Sequence, residues 1–141
     1  MEIYEMQSDK EIRAAFPLLK QLRTHLDENT YVELVKEAML EERYHLAVLE
    51  SDGDLAAAAG FKEMTTLYYG RFVWVCDLVT DETKRSQGYG EKLLHYVHEW
   101  AARRGCECVA LSSGIQREKA HRFYEDKMNY HKASYVFKST L

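Results

Sequence analysis

Apolar positions along the chain change their period several times, and each change marks an element. Ile3 to Met6 alternates over a short run and predicts a first strand. Ser8-Asp9-Lys10-Glu11 has the form of a capping box, opening a helix that carries Ile12, Phe16, Leu19, Leu22 and Leu26. Pro17 falls inside that pattern, so a kink or two short segments is expected there. Thr30-Tyr31-Val32-Glu33 is a second capping box. Tyr31, Leu34, Val35, Ala38 and Met39 then recur at helical spacing, with Glu33, Glu37 and Glu41 on the other face.

After Arg43 the period falls to two. Tyr44 to Glu50, the turn pair Asp52-Gly53, and Leu55 to Met64 predict two antiparallel strands. The small side chains from Ala56 to Gly60 would let a neighbouring group approach the sheet closely. Arg71 to Thr80 reads as a further strand, and from Gly90 to Arg104 the helical period returns with Leu93, Leu94, Val97, Trp100 and Ala101 on one stripe. Gly105 supplies the stop. Cys106 to Leu111 predicts a short buried strand, Ala120, Phe123 and Tyr124 another helix, and the residues from Asn129 onward one or two last strands. The order β-α-α-β-β-β-α-β-α-β, with room for one more strand, predicts an α/β (α+β) domain. Its mixed sheet would have six to seven strands and carry about four helices on its faces.

Composition narrows the function. The 141 residues fit one domain, 1–141, and 46% hydrophobic residues suffice for a core without disulfide or metal. Nineteen Lys and Arg stand against 23 Asp and Glu, a net charge of -4 that argues against a general nucleic-acid binder. Arg103, Arg104, Arg117, Lys119 and Arg122 are the one candidate basic face. No apolar run approaches the ~20 residues of a membrane helix. Met1-Glu2-Ile3-Tyr4-Glu5 does not resemble a secretory leader, so no membrane partner and a cytoplasmic protein are expected. Cys76, Cys106 and Cys108 have no metal-ligand spacing and are expected to be small buried apolar residues. His95 and His98 are three apart on a helix, but no third ligand follows; no metal is expected.

The chemistry concentrates in Asp77-Leu78-Val79-Thr80-Asp81-Glu82-Thr83-Lys84-Arg85-Ser86-Gln87-Gly88-Tyr89-Gly90, a strand and a glycine-bearing turn feeding a helix. Unpaired N–H groups at a helix start carry the positive end of its dipole and cradle a pyrophosphate. Gly88 lets backbone approach phosphate oxygens, Gly90 eases packing of the helix start, and Arg85 adds a planar cationic fork. A Walker loop is excluded because Gly-Lys-Ser/Thr is absent, and the dinucleotide fingerprint because Leu93 stands where its third Gly would be.

Arg85-x-x-Gly88-x-Gly90 between a strand and an amphipathic helix, followed by Ala120-His121-Arg122-Phe123-Tyr124, resembles the GNAT superfamily of acyl-CoA-dependent N-acetyltransferases. Element order matches through the whole chain, and specific residues match from about Asp77 to Tyr130. The resemblance implies a mostly antiparallel sheet and acetyl-CoA as cosubstrate. The backbone of Leu78, Val79 and Thr80 would bond the pantetheine arm, and the amides of Arg85, Ser86, Gln87, Gly88, Tyr89 and Gly90 would hold the pyrophosphate. Ser113 and Arg117 would line the CoA exit, Arg117 in place of a frequent Asn. Asn129-Tyr130 stands where Gly-Phe is common, a mild departure because Asn tolerates a left-handed turn.

The roles implied are those of acyl transfer to a primary amine by direct attack. Tyr124 would protonate the departing thiolate, its pKa of about 10 lying above a thiol's about 8.5. Asp77, in an otherwise apolar strand, is the leading candidate for the base; Glu63 on the neighbouring strand and a water chain are the alternatives. The amide of Val79 would polarise the thioester carbonyl. The acceptor, a small molecule or a protein amine, would be chosen by the first two helices and the loop from Thr65 to Gly70, with Tyr31, Tyr68 and Tyr69 as wall residues. The competing reading is a non-catalytic acyl-CoA-binding sensor or interaction module on the same fold. The tail Ala133 to Leu141 is β-rich and could pair with a second copy as a homodimer.

Overall fold

In the computed structural model, which describes residues 1–141, five strands lie in the sheet order β1-β2-β3-β4-β5. They are β1 (Glu2–Glu5), β2 (His45–Ser51), β3 (Asp54–Thr66), β4 (Gly70–Thr80) and β5 (Val109–Leu111). The first four form an antiparallel meander. The chain ahead of β5 runs alongside β4 in the same direction: Glu107 N–H donates to Arg71 O (2.7 Å) and Val73 N–H to Cys108 O (3.0 Å), both chains advancing together. The sheet is therefore mixed. Asp52 and Gly53 both have positive φ (53° and 82°), the requirement of the tight turn that joins β2 to β3.

The helices are α1 (Asp9–Ala14), α2 (Phe16–Leu22), α3 (Glu28–Glu42), α4 (Tyr89–Arg103) and α5 (Glu118–Arg122). Ser8 and Glu11 close the expected capping box on α1. Pro17 divides what periodicity alone reads as one helix: α1 stops at Ala14, Ala15 caps both segments, and Pro17 sits in the first turn of α2, where a missing N–H costs nothing. Helix α3 starts a turn earlier than the Thr30 box predicts. Asp27 is its cap, accepting from Thr30 N–H at 2.8 Å, because a carboxylate in extended backbone there satisfies the amide first.

Two compact units are present, Met1–Ala110 and Leu111–Leu141. In the first, α1 to α3 cover one sheet face around Ile12, Leu18, Leu19, Tyr31, Val32, Leu46, Val48, Ala58 and Val79. Helix α4 covers the other face with Leu93, Leu94 and Val97, none of which retains exposure. Each such burial stabilises the fold by about 1.5–3 kcal/mol. Ring contacts of Phe61 and Trp100 (5.1 Å between centroids) and of His45 and Trp100 (4.9 Å) extend that layer.

In the second unit α5 continues into a π-helical turn, Phe123–Lys127, and Asn129 takes the left-handed conformation (φ 59°) that an Asn in this place allows. Tyr130 N–H returns to Tyr124 O at 2.8 Å. The predicted final strands are absent: residues 131–141 hold no regular structure and are exposed throughout, including Tyr135, Val136 and Phe137. The β-rich pattern is there, but strand propensity expresses itself only against a partner strand. Five strands therefore stand in place of six or seven. The predicted strand from Cys106 likewise shortens to Val109–Leu111, and Cys108 is exposed rather than buried.

The cap at Asp27 should be separable from the rest. Asp27→Ala is expected to lower unfolding free energy by about 1 kcal/mol in a urea titration; an unchanged midpoint would mean that Thr30, as the sequence pattern suggests, can start the helix alone.

Candidate active site

The turn between β4 and α4 is built by its own side chains and then left open. Asp81 accepts from Thr83 N–H (2.9 Å) and Thr83 Oγ1–H (2.8 Å), winding one 3-10 turn over Glu82–Lys84. Those bonds hold the Asp81 carboxyl below its usual pKa. Arg85 is extended, then Ser86 and Gly88 both take positive φ (66° and 81°). A left-handed serine costs about 1 kcal/mol, a cost that the turn geometry imposes. Gly88 caps α4 without a side chain, so no capping group claims the amides of Tyr89, Gly90 and Glu91; the first helical bond is Lys92 N–H to Gly88 O (3.0 Å). A Cβ at Gly88 would meet nothing within 4 Å. Arg85, Ser86, Gln87 and Gly88 are all exposed. Uncapped amides, the positive helix end and an exposed guanidinium are groups that can take an anion, although Glu91 in the first turn opposes part of that field.

This loop is tied down from behind. Glu82 N–H donates to Gln21 Oε1 of α2 (2.9 Å), Lys84 approaches Asp54 of β3 (3.8 Å), and the hydroxyls of Tyr89 and Ser51 lie 3.1 Å apart. None of these ties was legible in the sequence, because the partners are far apart along the chain.

Strand β4 carries one residue too many for its neighbour. Gly60 pairs with Asp77 and Phe61 with Val75, so Cys76 is an unpaired bulge. The bulge inverts the alternation of backbone direction. Ahead of it the Val73 amide faces the β5 side, bonding Cys108 O; beyond it the Asp81 amide faces β3, bonding Ala56 O (2.8 Å). By alternation the Val79 amide also faces β3, opposite Ala58, and the amides of Leu78 and Thr80 face away from β3. The Val79 amide, expected to polarise a thioester, belongs to the ladder with β3 and its side chain is core, while the amide of Leu78, one residue earlier, faces away from β3.

Asp77, just past the bulge, is held from two sides. Arg23, immediately after α2, donates from Nε to Asp77 Oδ1 (2.9 Å) and from Nη2 to Cys76 O (2.8 Å), the carbonyl at the bulge. Tyr44 donates its hydroxyl to Asp77 Oδ2 at 2.7 Å. Burial, and secondarily the Asp77 charge, push the Tyr44 phenol well above its ordinary pKa, so it stays a donor at any working pH. Gly60 makes room for it: a Cβ there would lie 1.7 Å from Tyr44 Oη and 2.8 Å from Asp77 Oδ2. That close approach is what the small-residue run anticipated. Arg23, Tyr44 and Gly60 were missed as site residues.

Glu63 is on the opposite sheet face. It pairs with Arg104 at the end of α4 (2.9 Å), on the side where Phe61 meets Trp100. Asp77 and Glu63 are consequently alternatives in a strict sense, each serving a different face. Tyr31 is a core residue whose hydroxyl donates to Ile12 O (2.8 Å), not a wall of an acceptor pocket. Tyr68 is exposed at the β3–β4 turn and Tyr69 packs on Phe72. Burial, with Asp77 adding, lifts the Cys76 thiol to about 11, so it is no nucleophile. Glu33, Glu37 and Glu41 form a solvated face. No group of three or more His, Cys, Asp or Glu side chains is placed to hold a metal ion, and no helix is long and apolar enough to cross a membrane.

In the second unit, Tyr124 lies in the π-helical turn and is buried, its ring 5.4 Å from Phe123 and 5.9 Å from Tyr130. Such turns often re-aim a side chain at a functional site. Ser113 Oγ is buried without a hydrogen-bond partner, which fits a position expected to meet a ligand. Arg117 is exposed at the start of α5.

Residues 6–130 match the Acetyltransferase (GNAT) family. The chain is 38% identical over 137 residues to an uncharacterized N-acetyltransferase, YhdJ, of Bacillus subtilis (strain 168), covering 97% of this chain and 96% of that one. It is 26% identical over 104 residues to an aminoalkylphosphonate N-acetyltransferase of Salmonella typhimurium, covering 73% and 68%. A crystal structure of a GNAT family acetyltransferase from Staphylococcus aureus superposes with a TM-score of 0.80 at 18% identity, covering 99% of this chain and 98% of that one.

The Gly60 slot has a measurable consequence. Gly60→Ala must displace Tyr44 and strand the Asp77 carboxylate, with an expected loss of about 3 kcal/mol in denaturant unfolding. A loss below about 1 kcal/mol would show that Tyr44 has another place to go.

Proposed function

The chain belongs to the GNAT acetyltransferase family, and from that premise we propose that it transfers the acetyl group of acetyl-CoA to a primary amine of a small molecule. The observation that carries the cosubstrate is the β4–α4 turn, with left-handed Ser86 and Gly88 and an α4 start that no side chain caps. It would hold the pyrophosphate through the amides from Arg85 to Gly90. Arg117 and the unpartnered Ser113 hydroxyl would line the exit. The Salmonella relative is named for acetylating an aminoalkylphosphonate, a small amine, which supports a metabolite-sized acceptor. The excess of acidic residues favours a cationic amine only weakly, since charge steering is screened within about 8 Å at physiological salt.

The reaction proposed is direct attack. The amine nitrogen lone pair forms the bond to the thioester carbon, the C–S bond breaks with its electrons on sulfur, and Tyr124 O–H gives that sulfur a proton. Negative charge building on the thioester oxygen meets the Leu78 amide, which needs no reorganisation because the strand already fixes it. The nitrogen must also lose a proton. Asp77 is the proposed receiver, directly or through one water. Two of its lone pairs are engaged by Arg23 and Tyr44, and a carboxylate has about four. A cytoplasmic site of action completes the reading.

The test is release of the CoA thiol from acetyl-CoA over a panel of primary amines, small and peptidic. Turnover on small amines is expected. Tight acyl-CoA binding with no turnover on any of them would instead favour a sensor. Tyr124→Phe should lower kcat by about 10²-fold or more, the usual scale for one general acid, while the KM for acetyl-CoA stays within a small factor. An unchanged kcat removes Tyr124 from the acid role.

A further inference from the structure

The guanidinium of Arg23 touches two groups that have nothing in common in the sequence, the carbonyl of the β4 bulge and the carboxylate next to it. A bulge is a local register defect, and a strand can lose one by sliding its extra residue along. Sliding by one residue would exchange the amides that face β3 for those that face away. Two side chains bear on that defect here, through Cys76 O and the Asp77 carboxylate. Arg23 Nη2 reaches Cys76 O at 2.8 Å and Nε reaches Asp77 Oδ1 at 2.9 Å, a two-point grip from one planar fork. Tyr44, seated over Gly60, secures the other carboxylate oxygen.

We propose that Arg23 is a positioning residue of the acetyl-transfer site, holding the Cys76 bulge in register and so keeping the Leu78 amide directed at the thioester carbonyl. This rests on the acetyltransferase reading above. Arg23 lies outside the phosphate loop and grips the bulge carbonyl and the residue that follows it, so its proposed action is on the reacting end of the cosubstrate. The side chain is 41% exposed and that of Asp77 is 17% exposed; the consequence is therefore geometric more than a matter of ion-pair energy.

The distinguishing readout is the preference for acetyl-CoA over CoA, because only the former has a carbonyl for the Leu78 amide to address. Calorimetric titration of the full chain with each ligand is expected to show tighter binding of acetyl-CoA, and Arg23→Gln should shrink that preference at least fivefold while affinity for CoA itself stays within twofold. Amide hydrogen exchange at Val79, whose N–H the ladder to β3 protects while the bulge holds its place, should quicken at least tenfold in the same variant, with Val48 unaffected. With an amine from the panel, kcat should fall at least tenfold at little change in the KM for acetyl-CoA. Arg23→Met keeps a long apolar stem but no donor, and should share the loss of preference; it serves if Arg23→Gln does not fold. Arg13→Gln, which removes an exposed ion-paired arginine of α1, should behave as wild type. An Arg23→Gln or Arg23→Met protein that is folded and keeps both the acetyl-CoA preference and slow Val79 exchange overturns the inference and leaves the functional reading standing. A wild-type chain that binds neither ligand overturns that reading and the inference together.

Discussion

A single extra residue in β4 sets which amides of that strand turn away from β3. In an antiparallel ladder each strand turns alternate amides to each neighbour, and without Cys76 the Val79 amide would look away from β3 as Val73 does. With it, Leu78 and Thr80 take that direction. Everything proposed for the reacting end depends on the defect staying where it is. The structure invests a buried phenol, a guanidinium and a side-chain-free position, Gly60, in one short stretch of strand. The groups come from four separate places, after α2, after α3, in β3 and in β4, so the bulge is also where the helical layer is keyed to the sheet.

The β4–α4 loop proposed to hold the cosubstrate shows the complementary arrangement. Its outer side is left free of side-chain caps, while its inner side is fastened by Gln21, Asp54 and Ser51. An anion site made of backbone amides needs both conditions. Amides already satisfied by a cap are not available, and amides on a loose loop lose the ordering entropy that binding would have to supply. Left-handed Ser86 is consistent with a turn whose shape is held by such anchors rather than by local preference.

Much of the fold was legible because it is written in short-range chemistry. The box at Ser8, the break at Pro17, the Asp52-Gly53 turn and the left-handed stops at Gly105 and Asn129 all depend on residues within a few positions of one another. The errors have a common source as well. Thr30 lost the cap to Asp27, a competitor three residues away; residues 133–141 carry a strand pattern without a strand partner; and Tyr31 looked like a pocket wall until its hydroxyl was found on Ile12 O. In each case a local pattern was compatible with two outcomes, and a partner elsewhere decided.

The candidate site divides along the same line. Arg85, Gly88 and Gly90 stand out as a candidate phosphate loop from spacing, since such a loop is contiguous, and Asp77 stands out because a carboxylate in an apolar strand needs a reason. Register cannot be read that way. A strand one residue longer than its neighbour has the same composition with or without a bulge, so the choice between the Val79 and Leu78 amides was invisible. The two carboxylates that seemed interchangeable, Asp77 and Glu63, lie on opposite faces, each with its own arginine. The sequence by itself determined most of the elements and the glycine-bearing turn between β4 and α4, all of which follow from neighbours along the chain. Tertiary structure alone decided which amides of β4 turn away from β3 and which sheet face each carboxylate takes, because pairing register and sheet face are relations between distant segments that no local pattern encodes.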